Sequence, residues 1–332
     1  MDIMNIESLS PNITGYRAAD VINYLRATRG PLSTTEDRKR IGIIFEGGSL
    51  RGVISCCQAL ALCEFVNPSQ FSHVSGSSSG ALNSVYFCTS ELEVAFSIYY
   101  DNATDKRCTN IWNYPNILNV DWLLDTYIFG EKRFSQSKLI YFPGEIFMSI
   151  TDMSTGDARH YKVDKSDLVT LRKVMKATAY SPLLTNSYQI IDGNRYGDGA
   201  SSDAIPYDFA LNSGCEMVVC LLTRPPTFRR KPSWTRTLFE HFRLMGNEKA
   251  FLKTYYQRNL AYNDLLERLY VTGERCVPTL VIHPANDTEA PGNVGNSREI
   301  VKRQGEQAFE RARKQLAELF TGTLLEERRS HP

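Results

Sequence analysis

No run of 18 uninterrupted apolar residues occurs in the chain, which excludes a helix able to cross a bilayer unaided. The opening residues "MDIMNIESLSPNITGYR" carry acidic side chains and no apolar core segment, so they do not read as a Sec-type signal. Charge of one sign is missing too: 38 Lys and Arg against 37 Asp and Glu leave a net charge of +1. That balance gives no global attraction to nucleic acid or anionic lipid. The eight cysteines include no C-x-x-C pair and mostly sit in apolar runs such as "ISCCQALALCEF" and "MVVCLL". Such a pattern argues for buried reduced thiols, against a disulfide framework and against a structural zinc site. The expected location is cytoplasmic, with peripheral contact at membranes; export by a route without a signal peptide would leave no trace in the residues.

What is present suits a sizeable α/β core, with 42% hydrophobic and 23% charged residues in 332. Residues 1–39 read as a polar leader or appendage holding one helix, "YRAADVINYLRATRG", stopped by Gly30-Pro31. "RIGIIFE" is a short apolar run followed by "GGSLRG" and the helix-like "VISCCQALALCEF"; "FSHVSG" is a second strand leading into a serine-rich turn and the helix-like "GALNSVYFCTS". Strand, glycine turn, helix, repeated, is the grammar of a parallel sheet. Further strands are predicted at "YQIID", "EMVVCLL" and "TLVIHP", a hairpin at "EIFMSITDMSTGDARHYKV", and a helix over 167–178. The spacing also predicts helices over 234–245, 248–271 and 298–319, so residues 226–332 read as a mainly helical region packed on a core of 40–225.

Gly76-Ser77-Ser78-Ser79-Gly80 fits G-x-S-x-G, the sharp strand-to-helix turn that exposes a nucleophilic serine. Alone the match is weak, since a chain of this length yields one by chance about one time in ten. Its context adds weight: a strand before it and a helix after it put Ser78 at a helix N-terminus, where N–H groups favour developing negative charge. Ser77 and Ser79 are expected to point elsewhere. An oxyanion needs donors, and the loop Gly47-Gly48-Ser49-Leu50-Arg51-Gly52 can aim its N–H groups into one concavity. A nucleotide loop is excluded, because Val53 stands where a Walker loop has Lys and Ser49 where G-x-G-x-x-G has its second glycine.

The base has two candidates. His283, at the end of "TLVIH", would serve a Ser-Asp-His triad, although a strand-end histidine satisfied by local hydrogen bonds is the plainer reading. Asp198, between Gly197 and Gly199, sits on a turn able to approach another loop; its plainer reading is an Asp-Gly turn like Asp192-Gly193. An aspartate at its reference pKa of about 3.9 is a poor base, so burial should raise it. Finally, Trp234, Leu238, Phe242 and Met245 follow the cations Arg229, Arg230 and Lys231 at helical spacing. Residues 225–245 could therefore meet a membrane surface, though most such stripes are core contacts.

Taken together these residues resemble the patatin-like phospholipase family. Gly47 to Gly52 are similar to its G-G-G-x-R/K-G anion loop, Gly76 to Gly80 to its nucleophile elbow, and Asp198-Gly199-Ala200 to its D-G-G/A element. "SITDMSTGDARHY", "ATAYSPLL" and Ile205-Pro206 agree, and the likeness spans residues 40–225. The resemblance implies a three-layer fold with a mainly parallel central sheet flanked by helices, plus a helical C-terminal extension. It implies a lipid acyl hydrolase in which Ser78 attacks an ester carbonyl and Asp198 takes its proton, with phospholipid or another lipid ester as substrate. No metal, cofactor, nucleotide or nucleic acid is implied. Gly47, Gly48 and Ser49 would hold the oxyanion, while Arg51 would orient the loop or meet a lipid phosphate. Two departures stand out: Ser49 replaces the third family glycine, which matters if the backbone there takes a positive φ, and Ala200 replaces the second glycine of D-G-G. The other readings are a Ser-His-Asp esterase using His283 and a non-catalytic lipid-binding or regulatory protein.

Overall fold

The computed structural model describes residues 6–29, 39–185, 187–231, 244, 248–272 and 277–321. Ten strands make one sheet: β1 (Ile6–Ser10), β2 (Ile13–Tyr16), β3 (Ile41–Phe45), β4 (His73–Ser77), β5 (Glu145–Asp152), β6 (Ala158–Lys162), β7 (Gln189–Ile191), β8 (Asn194–Asp198), β9 (Met217–Leu221) and β10 (Thr279–Ile282). Among the described residues the helices of ten or more residues are α1 (Ala18–Ala27), α2 (Gly52–Leu62), α3 (Ser79–Cys88), α4 (Leu168–Ala179), α5 (Lys249–Glu267) and α6 (Arg298–Thr321). Strand order is β1-β2-β10-β9-β3-β4-β5-β8-β7, with β6 also paired to β5. From β10 through β9, β3 and β4 to β5 the pairing is parallel; the flanks are antiparallel.

β3, β4, β9 and β10 are buried at every residue, as strands covered by helices on both faces must be, which is why β3, β9 and β10 read as apolar runs, while β4, His73–Ser77, buries polar side chains instead. Phe45, on β3, meets Phe87 of α3 edge to face at 5.5 Å, and Phe71 meets the same ring at 5.6 Å. This cluster fastens α3 to the sheet; truncating Phe87 to Ala would cost about 3–5 kcal/mol. The mainly parallel sheet flanked by helices, with a helical C-terminal region, matches the expected fold.

The seven described cysteines are all free, and burial pushes the thiols of Cys56, Cys57 and Cys88 upward, away from thiolate chemistry. Asp192 and Gly193, both at positive φ, turn β7 into β8 as a tight hairpin. The strand pair β1–β2 had no place in the sequence reading. It extends the sheet through Thr14 and Ile13, opposite Val281 and Ile282 of β10. Among the described residues no helix is long and apolar enough to cross a membrane.

The register around β5 builds the site. On one side β5 pairs with β6; on the other it pairs with β4 as far as Ser77↔Ser149, and at the very next position with β8, Asp198↔Ile150. β4 and β8 therefore abut end to end along one edge of β5. The residue after Ser77 and the last residue of β8 must meet.

Candidate active site

Ser78 lies between β4 and α3 with φ 55° and ψ −133°, a strained turn of the kind that costs about 1–3 kcal/mol and persists only when its surroundings enforce it. Two glycines enforce it. A Cβ at Gly80 would collide with Phe45 O, and one at Gly47 with Ser77 O and the Ser78 side chain, so the turn and the β3 loop interlock. Gly76 packs beneath Gly80, and Gly52, opening α2, lies against Ser79 and Tyr99. The Ser78 N–H donates to Thr178 Oγ1 at 2.8 Å, and that hydroxyl donates to Ser149 O at 2.7 Å. Thr178, on α4, thereby closes the gap between the strand ends.

Asp198 meets Ser78 at that gap. Ser78 Oγ donates to Asp198 Oδ2 at 3.4 Å, and the Ala200 N–H donates to Oδ1 at 2.9 Å. Thr151 Oγ1 fixes the Asp198 carbonyl at 2.7 Å. The hydroxyl–carboxylate distance is long for a full hydrogen bond, as catalytic contacts without substrate often are. Ser78 is 9% and Asp198 7% exposed. Burial raises the Asp198 carboxyl to about 7, against smaller downward pulls from the Ala200 N–H, the Ser78 hydroxyl, Arg230 and Arg258.

The β3 loop faces this pair. Gly48 has φ 140° and Ser49 φ 55°, so the backbone curls to turn successive N–H groups inward. Ser49 thus occupies the left-handed region that a glycine would take freely, at a cost of about 1–2 kcal/mol. Among the described residues the N–H groups of Gly47, Ser49 and Ser79 have no hydrogen-bond acceptor. The Gly48 N–H donates to Ser79 Oγ at 3.1 Å, so Ser79 does not point away as expected: opening α3, its side chain leans back onto the loop. Arg51 is 3% exposed and donates to Thr223 O at 2.7 Å, Pro291 O at 3.1 Å and Asp287 Oδ1 at 2.8 Å. Those bonds pin the loop to the chain after β9, and Arg51 does not line the cleft.

The cleft over Ser78 and Asp198 has a volume of about 420 Å³. One wall is apolar, built by Leu82 and Tyr86 of α3 and by Ile98, Val120, Leu124 and Ile128. The other carries Arg224, Arg230 and Arg258 with Phe228 and Tyr255. Sequence reasoning missed Thr178, Thr151, Ser79 and the inward roles of Arg224 and Arg258.

His283 is 3% exposed and sits elsewhere. Its Nε2 pairs with Thr14 Oγ1 at 3.2 Å and its Nδ1 with Pro284 O at 2.9 Å. Both nitrogens are spent, burial lowers the imidazole to about 4, and it does not line the cleft, so the triad reading loses its base. Of the proposed membrane segment, Trp234, Leu238, Phe242 and Met245 lie outside the described residues; Leu244 is buried with Phe251 and Tyr255.

The chain is 25% identical over 207 residues to an uncharacterized protein, YjjU, of Escherichia coli strain K12, across 60% of this chain and 56% of that one. The match therefore spans little more than half the relative's length. The crystal structure of VipD from Legionella pneumophila is similar at 12% identity and a TM-score of 0.47, covering 86% of this chain and 67% of VipD. The patatin-like phospholipase family model matches residues 43–211, half of the chain, and that stretch holds the β3 loop, the Ser78 turn and the Asp198 turn. The chain belongs to the patatin-like phospholipase family.

Proposed function

We propose that the protein is a lipid acyl hydrolase that cleaves carboxylic ester bonds through Ser78 and Asp198, without a histidine. The observation that carries the reading is the approach of Ser78 Oγ to Asp198 Oδ2, 3.4 Å, beside unpaired N–H groups and an apolar wall. Ser78 Oγ attacks the ester carbonyl while its proton passes to the Asp198 carboxylate. The N–H groups of Gly47, Ser49 and Ser79 receive the oxyanion, each worth about 3–4 kcal/mol in such a site. As the C–O bond breaks, Asp198 returns the proton to the leaving alcohol. Water then attacks the acyl-serine, giving its proton to Asp198, and the fatty acid departs as the proton returns to Ser78. A carboxyl raised to about 7 suits both halves of this cycle near neutral pH.

The acyl chain would lie along Ile98, Leu124 and Ile128, and Arg51 would act only by holding the loop. Substrate would arrive from a lipid surface. Trp112 is 89% exposed, beside exposed Ile111 and Tyr114, on a loop leading into cleft residues Leu118 and Val120. The test is product analysis on a mixed phospholipid panel with Ser78→Ala and Asp198→Ala controls. Released fatty acid that vanishes in both variants is expected; release that survives either variant would refute the dyad.

A further inference from the structure

The cationic wall is overbuilt for a cleft that only has to receive an acyl chain. Three arginines line it, and two are engaged: Arg224 donates to Asp287 at 2.8 Å and stacks over Phe228, while Arg258 donates to Tyr255 O and stacks on the Tyr255 ring. Arg230 is different. Among the described residues its guanidinium has no hydrogen-bond or ion-pair partner, yet it is held in place. Asn263 grips its backbone twice, accepting from the Arg230 N–H at 2.8 Å and donating to its carbonyl at 2.9 Å. The guanidinium lies over the Tyr262 ring at 3.7 Å from its centre. Tyr262 is fixed in turn by its hydroxyl bond to Glu46 Oε1 at 2.7 Å, and Glu46 Oε2 accepts from the Thr223 N–H at 2.6 Å. Both Glu46 oxygens are thus committed to neutral donors.

A planar fork of five donors, stacked on an aromatic face and lining a cleft whose carboxylates, Glu46 and Asp198, make no hydrogen bond or ion pair with it among the described residues, matches a bidentate oxyanion. Burial depresses its pKa, against upward pulls from Tyr262 and Glu46, and the neighbouring Arg258 and Arg224 charges add to the depression. We propose that Arg230, backed by Arg224 and Arg258, is an anion subsite that seats the phosphate group of a phosphate-bearing lipid ester. This rests on the acyl-hydrolase reading for orientation only. With the acyl chain on the α3 side, the alcohol portion of the ester extends past Asp198 toward α5, which carries Tyr262 and Arg258. Arg230 lines the same cleft as Ser78 and Asp198, on the side where a phosphate beyond the scissile carbonyl would then lie.

The test compares kcat/KM of the full chain on a monoacylglycerol phosphate and on the monoacylglycerol with the same acyl chain, both below their micelle concentrations. For Arg230→Gln the ratio of phosphate to neutral substrate is expected to fall about 10- to 100-fold, the loss of a charge-assisted pair. Arg230→Lys, which keeps the charge but not the fork, should fall between and covers the case in which the Gln variant does not fold. Binding to Ser78→Ala by calorimetry separates this proposal from hydrolysis itself. The phosphate lipid should bind at least tenfold tighter than the neutral one, and adding Arg230→Gln should erase the difference. If wild type cleaves neither lipid but this preference holds, the hydrolase reading fails and the subsite stands. Equal loss on both substrates, or no preference in Ser78→Ala, overturns the subsite. Inorganic phosphate displacing the lipid at equal concentration would mean a site for free phosphate, and overturns the head-group assignment.

Discussion

Two serines lie on opposite sides of one strand junction. Ser149, on β5, pairs its Oγ with His160 Nδ1 at 3.1 Å, and His160 Nε2 lies 3.4 Å from Asp203 Oδ2. By residue type this is the more familiar hydrolytic set. Ser78 has only Asp198. Yet none of Ser149, His160 and Asp203 lines the cleft, and Ser149 is 1% exposed in mid-strand, its backbone inside the ladder. His160 stacks on Phe209 at 4.0 Å, and burial lowers it to about 4 while raising Asp203 to about 7. The two form a contact of groups that favour their neutral forms, filling space beneath the Asp198 turn. What separates the serines is a strained turn, free N–H groups and a cavity, not the partner list.

The largest expected difference is in turnover. Ser78→Ala should lower kcat/KM on a soluble lipid ester by at least ~10⁴-fold, and Ser149→Ala by less than ~10-fold, read by initial rates. Comparable losses would collapse the distinction. Next comes stability against pH. Asp198 and Asp203 both have folded values near 7, above the unfolded value near 4, so the folded chain binds more protons between those limits. Their contribution to stability falls as pH rises from about 4 to about 7 and levels off above, against an opposite rise from His73, His160 and His283, whose folded values near 4 lie below the unfolded value near 6.5. Asp198→Asn or Asp203→Asn should each remove part of that fall and stabilise the chain at pH 8 by up to ~4 kcal/mol, with no gain at pH 4, by denaturant titration. Only the Asp198 variant should also lose activity. A gain that persists at pH 4 would show that burial of charge is not the cause.

His283→Ala should leave turnover within a factor of about three while costing about 1–3 kcal/mol, since Thr14 loses its partner. Abolished turnover in folded protein would revive a histidine base. The smallest effect belongs to Ser49→Gly, which removes the left-handed strain but frees the unfolded chain. A stability change within about 1 kcal/mol and undiminished activity are expected, by thermal melts and initial rates. A large loss would mean that the Ser49 hydroxyl, not its N–H, matters.

Much of the layout was legible because glycine-rich turns announce themselves locally. Gly47 to Gly52 and Gly76 to Gly80 are contiguous, and their spacing follows from two loops that must interlock. The parallel strands β3, β9 and β10 were legible as apolar runs, and β4 as the short strand ahead of the serine-rich turn. Thr178 and Thr151 act as single side chains far from the motifs they touch, carried there by α4 and β5, so no local pattern marks them, while Arg230 was legible only as part of a cationic run. The β1–β2 hairpin had a signal, Pro11-Asn12 between two short extended runs, but its residues are too polar to stand out from a leader. Arg51 was ambiguous because a glycine loop predicts where its backbone goes, while its side chain's destination, Thr223 and Asp287, depends on strands over 170 residues away.

The central claim is that Ser78 is activated by a buried aspartate alone. Labelling with a fluorophosphonate, located by peptide mass and followed against pH, tests it most directly. One adduct on Ser78, at a rate that rises with pH and levels above about 7, and its loss in Asp198→Asn but not in His283→Ala, is predicted. No adduct in folded protein, an adduct on Ser149, or undiminished labelling of Asp198→Asn would contradict it.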